Sequence, residues 1–181
     1  MDKKSHGHIT SKVAETLSGY YQPKGYGVFY DHDSIKENVG KIASWSGDRY
    51  SRDSELSRLD VAIVAKGSDR ALALIAIEET NDTPKALLGD LFGVLLGDHI
   101  SFRGERQFPV GEHTTLIILE KSKVMHRKRN ENLREQGMQI KSNLSTANSA
   151  IGNIVIDSFA DEKGLYTLLS SVLDRALKGE L

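Results

Sequence analysis

The 181-residue sequence contains no cysteine, and this absence excludes several kinds of site. Without thiols the chain has no disulfide, no cysteine-ligated iron–sulfur cluster and no thiolate zinc site. The formal net charge is only −1, which is not the positive excess that is typical of a nucleic-acid-binding protein. Any basic surface that binds nucleic acid must therefore be local.

Long apolar runs are also absent. No stretch reaches the length of a membrane span, and the first residues, Met1 to His6, lack the apolar core of a signal peptide. We therefore expect no membrane partner and a cytoplasmic location. The composition, 39% apolar and 27% charged, is that of an ordinary globular protein, and the length suits one domain over residues 1–181.

Three common nucleotide-binding and hydrolase motifs are missing as well. The chain has no Gly-x-x-x-x-Gly-Lys-Ser/Thr loop and no Gly-x-Gly-x-x-Gly fingerprint after a strand, which disfavours nucleotide cofactors. It also has no Gly-x-Ser-x-Gly sequence, which would place a nucleophilic serine on a sharp turn. Chemistry must therefore come from another part of the sequence.

The most informative stretch lies between Arg58 and Lys85. Two short apolar runs, partly β-branched, flank a Gly-Ser-Asp turn at positions 67–69, and this pattern predicts a β-hairpin. Neither run alternates strictly between apolar and polar residues, so we expect both strands to be buried on both faces. Asp60 stands near the start of the first strand, and Glu78 and Glu79 stand at the end of the second.

Antiparallel pairing brings these two strand ends together. Directly opposed residues lie about 4.5–5.5 Å apart and diagonal ones about 7–8 Å apart. Each carboxylate taken alone is typical of a solvated strand end. Converging carboxylates, however, repel each other and favour a cation between them, and Mg²⁺ is usually held by one or two carboxylates plus water and phosphate oxygens. We therefore predict that Asp60 and Glu78 share one face of the hairpin within about 8 Å.

This stretch resembles the core motif of the PD-(D/E)XK nuclease superfamily, which has the restriction-endonuclease-like fold. Asp60 matches the first Asp of the motif, and Glu78-Glu79-Thr80 matches the acidic-x-Lys triplet, with Thr80 in place of the Lys. The resemblance implies Mg²⁺ or Mn²⁺ as cofactor, held by Asp60, Glu78 and the backbone carbonyl of Glu79. It also implies that Lys85, on the following helix, takes the role of the missing Lys.

The resemblance implies one more catalytic residue. In several branches of the superfamily a Glu on the first helix reaches the metal site, and Glu15 stands on the helix predicted for Ile9 to Tyr21. Glu15 lies off the apolar stripe of that helix, so a solvated surface position is the alternative.

Periodicity and turn signals give the order of the remaining elements. The fold class predicted is α/β, with a central mixed β-sheet flanked by helices, in agreement with the αβββαβ core of the superfamily and with one strand and one helix added. We predict strands at Val28–Tyr30, Lys41–Trp45 (as the first strand of the core hairpin set), Thr114–Leu119 and Ile151–Phe159. We predict helices with Pro84 in the first turn, within Lys121–Arg134 and from Leu165 to Leu177. Between them we expect a helical turn within Asp31–Val39, a polar loop at Gly47–Ser57, and an irregular stretch or edge strand within Asp98–Glu112.

Two groups of basic residues are candidates for DNA binding. Arg49, Arg52 and Arg58 precede the hairpin, and pairing with nearby acidic residues is the alternative to phosphate contact. The second group opens the helix after residue 121, where a solvated helix face is the alternative to phosphate contact. Its members of interest are Arg127, Lys128 and Arg129.

Glycines recur every four residues on the helix after Pro84. Gly89, Gly93 and Gly97 line one edge, and since glycine weakens a helix, this stripe indicates close approach of another backbone. Packing on a sheet is one explanation, and a homodimer interface is the other.

Two functions of different classes follow. The first is a metal-dependent nuclease-like protein that hydrolyses phosphodiester bonds of DNA. The second is a catalytically inactive module of the same fold that binds nucleic acid or a protein partner, and Thr80 and the low net charge favour it. An α/β binding domain with another ligand is a third reading.

Overall fold

Within the residues that the computed structural model describes (8–31, 39–68, 70–79, 84–122, 127–144 and 151–179), the chain forms four α-helices and nine β-strands. The helices are α1 (His8–Tyr21), α2 (Pro84–Leu95), α3 (Arg127–Leu144) and α4 (Glu162–Ala176). The strands are β1 (Tyr26–Tyr30), β2 (Ile42–Trp45), β3 (Glu55–Leu59), β4 (Val61–Ala65), β5 (Arg70–Glu78), β6 (His99–Phe102), β7 (Arg106–Pro109), β8 (Thr115–Lys121) and β9 (Asn153–Phe159).

The first sheet is mixed and has the strand order β1-β4-β5-β8-β9. β1 and β5 pair antiparallel with β4, so the predicted hairpin is confirmed, while β8 and β9 add in parallel. The parallel connections run through α2 and α3, because parallel neighbours need a crossover. Nearly every residue of β4 and β5 is buried or half-buried, as expected for strands covered on both faces.

Helices cover both faces of this sheet. On one face, α1 and α4 pack with Val61, Ile63 and Ile75 in one apolar cluster. On the other, α2 and α3 pack with Leu74 and Ile118 in a second cluster. The predicted class, α/β with a central mixed sheet flanked by helices, is therefore confirmed. No helix in the described ranges is both long enough and apolar enough to cross a membrane.

A second sheet, which was not predicted, has the order β3-β2-β6-β7 and is antiparallel throughout. The prediction that Lys41–Trp45 belongs to the core hairpin set is wrong, since β2 pairs with β3 and β6. The loop prediction for Gly47–Ser57 is also wrong at its end, where a short 3₁₀ helix (Arg52–Ser54) leads into β3. The edge-strand alternative for Asp98–Glu112 is right, because β6 and β7 form a hairpin there.

The two sheets are joined by one nearly continuous strand. β3 ends at Leu59 in the second sheet and β4 begins at Val61 in the first, with only Asp60 between them. Residues of both sheets share the cluster under α2, among them Ile42 and Ile100 from the second sheet. The predicted metal ligand Asp60 therefore lies where the two sheets meet.

Two of the three glycines lie against the second sheet: Gly93 on α2, and Gly97 two residues beyond the end of α2. A Cβ on Gly93 would lie 2.7 Å from the Leu56 carbonyl oxygen, and one on Gly97 would lie 2.0 Å from the Ser44 hydroxyl oxygen. These two glycines thus allow close packing on a sheet, which was one of the two explanations. Around Gly89 nothing lies within 4 Å. The homodimer interface stays a prediction.

Candidate active site

A cleft of about 300 Å³ opens at the end of the first sheet where β1 and β5 finish and β4 starts. Asp60, Glu78 and Glu79, predicted as the metal site, all line it. The described residues that complete the lining are Thr10, Asp31, Arg58, Leu59, Ala76, Ile77 and Asp90. Among these described residues five carry carboxylates and one is a cation, so this part of the lining is strongly acidic.

Asp60 is fixed against the neighbouring strand. Its backbone N–H donates to Ile75 O at 3.0 Å, and its carboxylate oxygen Oδ2 accepts from the backbone N–H of Ile77 at 2.6 Å. The Asp60 side chain thus accepts a hydrogen bond that a backbone carbonyl would otherwise accept in the β4–β5 ladder. The donor, Ile77, stands one residue before Glu78. This bond fixes the direction of the carboxylate relative to the end of β5.

Glu79 links the sheet to the first helix. Its Oε1 accepts from the backbone N–H of Thr10 at 2.8 Å and from the Thr10 hydroxyl at 2.6 Å. The first N–H groups of a helix lack partners within the helix, and a carboxylate there is also favoured by the helix dipole. The Glu79 side chain therefore holds α1 at the cleft, which leaves the backbone carbonyl as the atom predicted to contact a metal.

Other predicted catalytic residues lie elsewhere or outside the description. Glu15 is exposed on α1 and is not among the lining residues. It follows Thr10 by five residues, about 7.5 Å along the helix and roughly 140° around it. The structure therefore does not bring Glu15 to the cleft. Lys85 lies in the first turn of α2, but its side chain, like the whole of Thr80, lies outside the described residues.

Two further carboxylates of the cleft were missed. Asp31 directly follows β1, and its N–H donates to Asp60 O at 2.9 Å. The argument that joined Asp60 and Glu78 applies to it, because antiparallel β1 ends where β4 begins. Asp90 stands on α2 and accepts from the Ser57 hydroxyl at 3.2 Å. No strand-end signal marks it, since its position depends on how α2 packs on the second sheet.

A buried polar cluster lies on the neighbouring parallel strand. Glu120 of β8 is 6% exposed, is paired in register with Glu78, and accepts from the Arg129 guanidinium and, at 3.1 Å, from the Ser158 hydroxyl. Asn130 donates to Ser158 Oγ at 2.7 Å. Arg129, predicted to contact DNA, thus has its guanidinium engaged by a buried carboxylate, and its contact with DNA stays a prediction.

The other basic residues predicted to contact DNA lie in different surroundings. Arg52 and Arg58 line a groove beside the cleft, whereas Arg49 is exposed and does not line it. Arg58 Nε donates to Glu55 at 2.9 Å, so Arg58 has the acidic partner that the alternative named, and its contact with DNA stays a prediction. Lys128 is exposed on α3, and the side chain of Arg127 lies outside the described residues.

The lining of the cleft suits a hard divalent cation. Asp60 and Glu78 offer carboxylate oxygens, which Mg²⁺ prefers, at a surface that water can reach. In the described part of the chain no group of three or more His, Cys, Asp or Glu residues is arranged to hold a metal. Mg²⁺ does not require such a group, because it commonly keeps several waters and binds through one or two carboxylates plus phosphate oxygens.

Comparison of the chain with protein-family models, with curated proteins and with solved structures finds no match in any of the three.

Proposed function

We propose that the chain is a nuclease-like protein that hydrolyses phosphodiester bonds of DNA with Mg²⁺ or Mn²⁺ in the acidic cleft. The observation that carries the proposal is the meeting of Asp60, Glu78 and Glu79 in one cleft at the end of the β4–β5 hairpin. Carboxylate and carbonyl oxygens are the ligands that Mg²⁺ and Mn²⁺ prefer, and a metal bound there can in turn coordinate a phosphodiester.

The order of elements supports the same proposal. Without the second sheet, α1, β1, β4, β5, α2 and β8 follow one another as helix, three antiparallel strands, helix and parallel strand. This order agrees with the αβββαβ order of the restriction-endonuclease-like core and so supports the proposal; α3, β9 and α4 follow it in the chain. A fold alone does not give a function, so the proposal depends on the cleft.

Each residue has a separate role in the proposed reaction. The metal would lower the pKa of a bound water and stabilise charge on the scissile phosphate. Asp60 and Glu78 would hold it with their carboxylates and Glu79 with its backbone carbonyl. The Ile77 N–H keeps the Asp60 carboxylate oriented. Lys85 orients the water from the first turn of α2, because Thr80 offers only a neutral hydroxyl.

The inactive-module alternative is favoured by a specific observation. The Glu79 carboxylate is engaged by Thr10, and Arg129 is engaged by Glu120, so one carboxylate of the cleft and one predicted DNA-binding cation already have partners within the fold. In that case the cleft holds neither metal nor scissile phosphate. The chain would then bind nucleic acid or a protein partner through other surfaces.

A single substitution tests the proposal. Asp60→Asn keeps an oxygen that can accept from Ile77 N–H but removes the charge that a hard cation requires. We expect Mn²⁺-dependent cleavage of a labelled DNA duplex by the unmodified chain and its loss in Asp60→Asn. Mn²⁺ should also raise the melting temperature of the unmodified chain and not of Asp60→Asn, since a ligand that binds only the folded state stabilises it.

Asp48→Asn is the matched control, because Asp48 is exposed and lies outside the cleft lining. It should cleave DNA and respond to Mn²⁺ as the unmodified chain does. Undiminished cleavage by Asp60→Asn would exclude the proposed site. Metal-independent binding of DNA with no cleavage would favour the inactive module.

A further inference from the structure

A second concave surface lies directly beside the cleft, on the second sheet. This groove of about 740 Å³ is lined by Lys41, Arg52, Glu55, Leu56, Ser57 and Arg58. Arg58 lines both the groove and the cleft, and the chain continues from it through Leu59 to Asp60. A ligand lying in the groove would therefore point towards the carboxylates of the cleft.

Donors from three parts of the chain converge on one carboxylate in this groove. Glu55 accepts from Lys41 Nζ, from Arg58 Nε at 2.9 Å and from the Tyr50 hydroxyl at 3.4 Å. Lys41 precedes β2, Tyr50 lies in the loop after it, and Arg58 lies on β3. The Glu55 side chain is only 14% exposed, although it stands in an open groove. Such a set of charged and neutral donors is what an anion-binding site provides.

The electrostatics show that the donors dominate. Burial acts to raise the pKa of Glu55, but the hydrogen bonds and charges of Lys41 and Arg58 outweigh it and hold that pKa below its usual value. Glu55 is therefore ionised at neutral pH. Of the described residues that line the groove, three are cations and one, Glu55, is an anion. The positive excess is local, in a chain whose net charge is −1.

We propose that this groove binds the phosphodiester backbone of a single DNA strand leading into the cleft, and that Glu55 holds the place of a substrate phosphate while the groove is empty. The identity of the ligand rests on the proposed function. Lys41 and Tyr50 thereby become phosphate-binding residues together with Arg52 and Arg58, and Glu55 becomes an internal competitor of the substrate.

Two properties of the groove favour a strand over a lone phosphate ion. Its volume of about 740 Å³ far exceeds one phosphate group, and Leu56, 42% exposed, offers an apolar contact to a sugar or base. The Arg58 side chain is 70% exposed, and exposed ion pairs are weak. A phosphate can therefore replace Glu55 at Arg58 with little loss.

The competing explanation is that Glu55 only fastens β3 to β2, where it is paired with Trp45. The sign of one substitution separates the two explanations. If Glu55 competes with phosphate, Glu55→Gln frees the donors and tightens DNA binding. If Glu55 only fastens the strands, Glu55→Gln changes affinity no more than the loss of any exposed carboxylate.

The experiment is fluorescence anisotropy of a labelled single-stranded 20-mer and of its duplex, in EDTA, at several NaCl concentrations. For Glu55→Gln we expect about threefold tighter binding of the single strand than for the control Glu112→Gln, a carboxylate exposed away from the groove. Lys41→Gln and Arg52→Gln should each weaken binding and lower the slope of log Kd against log salt by about 0.7. Lys163→Gln and Arg175→Gln, exposed on α4, are their controls.

If these variants and their controls bind DNA with equal affinity and equal salt dependence, the proposal that the groove binds DNA is wrong, whether or not the chain cleaves DNA. Tighter binding of the duplex than of the single strand in every variant would overturn the choice of a single strand. Groove variants that behave as expected in a chain that never cleaves DNA would retain the groove and reject the nuclease. The two proposals therefore fail separately.

Discussion

At the scale of single residues, Glu79 shows how one carboxylate can belong to a site and to the fold at once. Its backbone ends the hairpin, where the proposed metal lies, while its side chain accepts both bonds from Thr10. Thr10 is 1% exposed, so water cannot easily replace a lost partner. The two roles use different atoms and can be tested separately.

Thr10→Val keeps the shape of the side chain and removes the hydroxyl donor. We expect it to lower the free energy of unfolding by about 1 kcal/mol, and Glu79→Gln by about 1–2 kcal/mol because a charge at a helix N-terminus is lost. Urea denaturation measures both. The control is Thr16→Val, because the Thr16 hydroxyl donates to a carbonyl within α1 at an exposed position. It should lower the free energy of unfolding by less than Thr10→Val does. No loss of stability in Glu79→Gln would contradict the anchoring role.

Glu55 gives a prediction on acid stability. Its folded pKa is lowered, so its contribution to stability is present above the unfolded value of 4.5 and is lost as the pH falls through the lower folded value. The difference in unfolding free energy between the unmodified chain and Glu55→Gln should therefore narrow below pH 4.5, as followed by urea titration at several pH values. With Glu112→Gln we expect no such narrowing. A difference in unfolding free energy between the unmodified chain and Glu55→Gln that stays constant from pH 7 to acid pH would contradict this prediction.

The residues of the cleft were only partly predictable from the sequence. Asp60 and Glu78 stand out because they end apolar runs that must pair. Asp31 could have been found by the same argument. Asp90 of the cleft and Glu55 and Lys41 of the groove could not, because their partners lie in or beside the second sheet, whose short strands leave a weak pattern.

At the scale of elements, α2 carries two glycines in opposite surroundings. A Cβ on Gly93 would lie 2.5 Å from Ser57 Cβ and 2.7 Å from the Leu56 carbonyl oxygen, whereas around Gly89 nothing lies within 4 Å. Both glycines weaken the helix to a similar extent. They therefore form a matched pair for measuring how closely α2 approaches the second sheet.

We expect Gly93→Ala to lower the free energy of unfolding by about 1–3 kcal/mol through overpacking. Gly89→Ala should raise it by about 0.5–1 kcal/mol, because alanine favours the helix and meets no neighbour. Thermal or urea unfolding of both variants gives the comparison. Stabilisation by Gly93→Ala would mean that α2 does not approach β3 as described.

Element type followed from the sequence where the pattern was long. The period of α1 and α4 and the continuous apolar runs of β5 and β8 predicted those elements. β2, β6 and β7 have four residues each, too few for a periodic signal to distinguish a sheet from a loop. The second sheet was therefore missed as a sheet, although Lys41–Trp45 was predicted as a strand.

At the scale of the whole molecule, the groove lies on the second sheet and the cleft at the end of the first, and the β3–β4 segment links the two sheets. If DNA occupies the groove and Mn²⁺ the cleft, each should raise the affinity for the other by the same factor, since coupling between two sites is reciprocal. Calorimetry of Mn²⁺ with and without a DNA analogue that resists hydrolysis measures one factor, and anisotropy with and without Mn²⁺ measures the other. Equal Mn²⁺ affinity with and without DNA would contradict the coupling.

The continuity of β3 and β4 also has a mechanical consequence. β3 and β4 form one nearly continuous strand that passes from the second sheet into the first, and Asp60 is the single residue between these two halves. A twist of the second sheet against the first would place torsion on the backbone at that residue. Tension on a nucleic-acid strand held in the groove would then turn the Asp60 carboxylate against its bond to the Ile77 N–H.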